Sequence, residues 1–278
     1  MAIKRILLPL AGDEGAEALA GCAFLVGRAH QAQVQGLLIR QRRPDISFGD
    51  EGVDSELLHQ LVVETRTEWE ETRQRVEKML GEVAAPYQPL ELQFTASEGD
   101  LAASVAHAAR LSDLSVVGRA RYGDGGWREV RDAALFQSGR PVLVVPDEGV
   151  KESTFDRVVI AWKESIEAAR AVAAAQPFLR RAREVHLLTV GESAELVASL
   201  EDVEQYLLLH YAEIKSEVIP HSRSDEGVAD ALLDKSHQLG GALLVTGAYS
   251  HWRWREQLFG GVTEAILFRT RVPVLMAH

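Results

Sequence analysis

Cysteine is almost missing from this chain: Cys22 is the only one in 278 residues. An intramolecular disulfide is therefore excluded, and so is a zinc site built from thiolates. No apolar run approaches the length of a transmembrane helix, and the first residues read as a strand rather than as a signal peptide. Positive charge is in deficit, with 30 Lys and Arg against 41 Asp and Glu and a net charge of −11. That balance argues against nucleic acid or an anionic membrane surface as the main partner. Aromatic residues are few, at 6%, beside 46% apolar and 26% charged residues. This is the composition of a soluble globular protein, with the cytoplasm as its expected location.

Several motifs are also missing. No Gly-x-x-x-x-Gly-Lys-[Ser/Thr] occurs, which excludes a P-loop, and no Gly-x-Gly-x-x-Gly follows an early strand. His210, His221, His237 and His251 are scattered without the i, i+4 spacing of metal ligands. His221-Ser-Arg-Ser-Asp225 has the letters of a catalytic triad but no Gly-x-Ser-x-Gly elbow. Ser224-Asp225 followed by Gly227 fits a helix N-cap better. The acidic pairs Glu70-Glu71 and Glu201-Asp202 fall on exposed helix faces. No catalytic constellation emerges.

What is present is a repeat. The segment running from Ala133 through Pro141 to Pro146 matches that from Ala265 through Pro273 to His278 without a gap. Upstream, Leu114-Ser-Val-Val-Gly118 corresponds to Leu243-Leu-Val-Thr-Gly247, and Ile3 to Pro9 corresponds to Phe155 to Ala161. The polar stretch from Asp147 to Ser153 reads as a linker, which predicts two units, residues 1–149 and 150–278.

Short β-branched runs alternate with longer helical patterns in each half. In the first half the strands are expected at 4–9, 33–39, 89–94, 114–118 and 141–146, with helices at 15–30, 52–83, 98–110 and 128–138. In the second they are expected near 156–162, 184–190, 215–219, 242–247 and 272–277, with helices at 165–182, 193–212, 225–239 and 261–270. Such alternation predicts an α/β fold of parallel strands with right-handed crossovers, each half doubly wound. Ligands on such sheets bind beyond the carboxyl ends of strands, where strand order reverses. The charged stretch 41–52, with Pro and Gly, reads as a surface loop.

One segment leaves such a strand end. Gly247-Ala-Tyr-Ser250 begins a loop that continues through Trp252, Arg253, Trp254 and Arg255 to Phe259-Gly260-Gly261-Val262-Thr263, where a helix opens. Helix N-termini expose unpaired N–H groups and the positive end of the dipole, and glycine lets backbone approach an anion. Taken alone, the same glycines could cap a strand and start a helix for purely local reasons. The loop's arginines suit a phosphate, and its tryptophans suit a base or packing on the neighbouring half.

The two halves resemble universal stress protein domains joined in tandem, and the similarity covers essentially the whole chain. That family carries Gly-x2-Gly-x9-Gly-(Ser/Thr) between its fourth strand and last helix, and Gly247, Ser250, Gly260 and Gly261 stand at those positions. The resemblance implies five-stranded sheets of order 3-2-1-4-5 and pairing of the fifth strands, here 142–145 and 274–276, across a pseudo-twofold axis. In ATP-binding members it implies a loop wrapped around the triphosphate, an aspartate after the first strand on the ribose, and adenine against the end of the second strand.

Carried over, these roles fall to Gly247, Ser250, Gly260, Gly261, Val262 and Thr263 for phosphate, Val190 for adenine and Lys163 for the ribose position. There are departures. Ser250 replaces a glycine, Gly261 replaces the Ser/Thr, and Lys163 donates where the aspartate would accept. The first half departs further: Asp124 would repel a phosphate, Leu10 or Ala11 holds the acidic position, and no hydroxyl follows Gly125-Gly126. It reads as a structural pseudo-repeat without nucleotide.

Three functions stay open. The first is a stress-response binding or regulatory protein with an adenine-nucleotide, ATP-type site in the second half only and no metal cluster. The second is a tandem stress protein without nucleotide, acting through protein contacts or another small anionic ligand. The third, a slow ATPase, has no base or phosphate-loop lysine to support it. An intramolecular pseudo-dimer is implied, and further pairing into a homodimer is open.

Overall fold

A computed structural model of the chain describes residues 2–10, 15–41, 55–119, 126–220, 224–240, 242–248 and 261–278, with the side chains of 55–63 outside the description. The first half contributes β1 (Arg5–Leu10), α1 (Ala16–His30), β2 (Gln33–Gln41), α2 (Ser55–Ala84), β3 (Leu92–Gly99), α3 (Leu101–Arg110), β4 (Leu114–Gly118), α4 (Trp127–Gln137) and β5 (Val142–Val145). The second contributes β6 (Arg157–Ala161), α5 (Ile166–Leu179), β7 (Glu184–Val190), α6 (Ala194–Leu208), β8 (Lys215–Ile219), α7 (Asp225–Gln238), β9 (Leu243–Gly247), α8 (Gly261–Arg269) and β10 (Val274–Ala277).

Strand order within each half is 3-2-1-4-5, as the resemblance implies. The two sheets are nevertheless one. The ten strands run β3-β2-β1-β4-β5-β10-β9-β6-β7-β8, parallel within each half and antiparallel where β5 meets β10, with Leu143 opposite Leu275. Val142 to Val145 and Val274 to Met276 are all at most 1% exposed. Left unpaired, these strands would be two apolar edges open to aggregation. Burial of each such side chain stabilises by about 1.5–3 kcal/mol.

Apolar residues of α1, α2, α5 and α6 cover one face of the sheet. Those of α3, α4, α7 and α8 cover the other. The periodicity of the long helix α2 is reflected in Val76 and Leu80, both fully buried. One element lies away from its expected place. Instead of 89–94, β3 spans Leu92–Gly99, because it pairs with β2 from Val34↔Leu92 to Gln41↔Gly99. Thr95-Ala-Ser-Glu-Gly99 carries little apolar signal, so backbone pairing rather than hydrophobicity makes it a strand. The stretch 42–54 and the loop 249–260, with Trp252 and Trp254, lie outside the described residues.

Candidate functional site

In the second half β6 lies between β7 and β9. The helix after β6 covers one face of the sheet and the helix after β9 the other. Strand order reverses here, and the diverging connections leave a crevice beyond the carboxyl ends. A cavity of about 340 Å³ occupies it. Its walls come from five regions: Ala161 to Lys163 and Ser165 after β6, Leu188 to Val190 of β7, Leu196 of α6, Asp225 of α7, and Thr246, Gly247 and Gly261 to Thr263 from β9 and α8.

The apolar wall is held rigidly. The Trp162 backbone N–H donates to the Leu188 carbonyl at 2.7 Å and prolongs the β6 pairing. Its indole Nε1–H donates to Ser199 Oγ at 3.0 Å, which fixes the ring. Past Val190 the chain turns at Gly191 with φ 126°, and a Cβ there would lie 2.8 Å from Leu196 Cδ1. The positive φ favours glycine at 191, and the absence of a Cβ there leaves room for Leu196 over the end of β7.

The polar side is built from helix starts. Ser165 caps α5 by accepting from the Ala168 N–H at 3.1 Å, and Ser224 caps α7 by accepting from the Gly227 N–H at 3.2 Å. The capping role expected for Ser224 is thus present. Gly247 has a packing reason of its own, since a Cβ there would lie 2.6 Å from the Ala168 nitrogen at the start of α5. At Gly261 a Cβ would lie 2.5 Å from Asp225 Oδ2. The Asp225 carboxylate therefore sits against the first residue of α8, where the sequence pattern points to an anion.

Of the eight residues expected at the site, Lys163, Val190, Gly247, Gly261, Val262 and Thr263 line this one cavity. Ser250 and Gly260 lie outside the described residues. Trp162, Leu196, Thr246 and Asp225 also line the cavity and were not among the expected set. Trp162 was within reach of sequence reasoning, being the residue before Lys163. Asp225 carried only the signal of a helix start.

A second cavity, of about 480 Å³, lies between the halves and is lined by α1 from Leu25 to His30, by Phe155 and Asp156, and by Phe178 and Arg181. The His30 ring meets Phe178 edge-on at 5.5 Å, and Phe178 stacks on Phe155 at 5.5 Å. Burial, then the charges of Arg181 and Lys4, hold the His30 imidazole down to about 4. At the edge of the second half, hydrogen bonds from Lys215, Arg157 and His186 hold the Glu184 carboxyl down to about 2. Burial pushes the Cys22 thiol up, away from the reactive thiolate form. Among the described residues no cluster of three or more His, Cys, Asp or Glu could hold a metal, and no helix is long and apolar enough to cross a membrane.

No protein-family model matches the sequence, and no curated protein matches it. Solved structures do. A universal stress protein from Archaeoglobus fulgidus DSM 4304 superimposes with a TM-score of 0.72 at 17% identity, over 98% of this chain and 97% of that one. A functionally unknown protein from Pseudomonas aeruginosa PAO1 gives a TM-score of 0.58 at 15% identity, over 99% and 92% of the two chains. At such identities the likeness is one of architecture, and it runs through both halves and their junction. The chain has the fold of a tandem universal stress protein.

Proposed function

We propose that the protein is a stress-response binding or regulatory protein whose second half holds one adenine-nucleotide-type ligand. One observation carries the reading. Six residues from four separate stretches of sequence, each assigned to the site from the sequence and its family resemblance, line a single cavity at the topological switch point. The adenine would lie against Val190 and Leu196, with the sugar and any phosphate towards Ser165, Thr246 and the start of α8. The first half acts as a structural partner.

Calorimetry with adenosine, AMP and ATP tests this. The expected result is saturable heat with at least one of them at a stoichiometry of one per chain. A stoichiometry of two would end the assignment to one half. Absence of heat with all three at millimolar concentration would end the nucleotide reading altogether.

A further inference from the structure

The carboxylate of Asp225 is the feature of this cavity that the phosphate pattern does not account for. Asp225 is the first residue of α7, directly after its cap Ser224. Its Oδ2 stands 2.5 Å from the Cβ position of Gly261, and its own Cβ and Cγ stand 2.8 and 3.1 Å from it. It forms no hydrogen bond or ion pair among the described residues. The fold does not demand a charge here. In the first half the corresponding helix start, after the cap Asp100, is Leu101, which is 4% exposed and packs against Gly126 at the start of α4. An apolar contact in one half is thus, in the other, a carboxylate that lines a cavity and has no partner among the described residues.

A full negative charge at this point outweighs the roughly half charge of the α8 N-terminus. A phosphate chain arriving at α8 would have this exposed carboxylate beside it, with Lys163 the cation among the cavity's lining residues. For a neutral ligand the same oxygens are acceptors with open lone pairs, suited to the hydroxyls of a sugar. Lys163, at the position of the expected ribose acceptor, has donors only. The cavity volume of about 340 Å³ is also near the small end of ligand sites.

We propose that Asp225 is the specificity-determining residue of this cavity: it accepts hydrogen bonds from ligand hydroxyls and repels a phosphate chain, so that the cavity takes a nucleoside in preference to its triphosphate. This rests on the reading that the second half binds an adenine-type ligand.

The test is calorimetry of the full chain with adenosine and with ATP, each with and without magnesium, for the native protein, Asp225→Asn and Asp225→Leu. The native protein is expected to bind adenosine at least about tenfold more tightly than ATP. Asp225→Asn keeps an acceptor and loses the charge, so ATP should tighten about tenfold while adenosine changes less than about threefold. Asp225→Leu, the residue of the first half, should tighten ATP similarly and weaken adenosine about tenfold. An ATP-to-adenosine ratio unchanged in both variants overturns the proposal. So does magnesium-dependent ATP binding that Asp225→Asn abolishes, because the carboxylate would then be a metal ligand. No heat with either ligand in any of the three proteins overturns the nucleotide reading itself, and the role of Asp225 with it.

Discussion

The two halves share ten strands and one topology, yet they treat the space above their switch points in opposite ways. In the second half α8 offers Thr263 to the cavity. One helix position aligns with it in the first half, Arg131 of α4, which is only 3% exposed and is held by Asp132 through its Nε at 2.8 Å. After β7 comes Gly191, whereas the residue in register after Ile39 of β2 is Arg40. Arg40 pairs with Glu98, donates to the Thr65 carbonyl at 2.7 Å and lies 5.3 Å from the Trp69 ring centre. Leu101 faces Asp225 across the same comparison. Small or polar residues line a space in one half where two guanidinium groups and a leucine occupy corresponding places in the other. A duplicated fold can keep its strands and lose or keep a site through a few side chains at the strand ends, because the core does not depend on them.

The largest expected effect separates the two strand-end glycines. Gly247→Ala would put a methyl 2.6 Å from the Ala168 backbone nitrogen, whereas Gly118→Ala meets nothing closer than Leu19 at 3.8 Å. Urea unfolding should show a loss of about 2–3 kcal/mol for the first and less than about 0.5 kcal/mol for the second. Equal losses would mean that the packing difference between the halves has no energetic weight.

Thr263→Arg transplants the first half's solution into the second, with Glu264 next to it as Asp132 is next to Arg131. Adenosine affinity should fall at least about tenfold, about 1.4 kcal/mol. The urea midpoint should move little. Retained affinity would show that α8 does not line the ligand site.

The smallest effect concerns the contact that joins the halves. His30 titrates at about 4 in the folded chain against an ordinary 6.5. Between those values the unfolded chain holds a proton that the folded chain lacks, so stability is complete above pH 6.5 and falls as the pH drops towards 4. His186, also lowered, acts in the same direction, and Glu184 adds a further loss only below its ordinary 4.5, towards about 2. Unfolding at pH 7 and pH 5 should differ by about 1 kcal/mol, after allowing for solvent screening, and His30→Gln should remove much of that difference. An unchanged slope would place the buried titration elsewhere.

Much of this architecture is legible in the sequence. The repeat and the alternation of strands and helices follow from local patterns, because hydrophobic period and turn residues act over neighbouring positions, whereas the strand order is what the family resemblance implies. Thr263 could be named because it lies at a helix start marked in the sequence, and Val190 because the resemblance places adenine against the end of the second strand. Asp225 could not, since it begins a helix whose start meets that of α8 only in space, across 36 residues. The true span of β3 was hidden for a related reason: its polar half is a strand by pairing with β2 alone.

By itself, then, the sequence determined an α/β tandem with one half closer to the family's loop pattern, since periodicity, repeats and loop glycines are written in consecutive positions. The pairing of β5 with β10 is what the resemblance implies and the structure has it; only the tertiary structure decided that pairing with β2 carries β3 on to Gly99, and that a carboxylate rests on the turn that resembles a phosphate site. Both depend on which surfaces meet after the chain has folded, and the free energy of such meetings belongs to pairs of residues far apart in sequence.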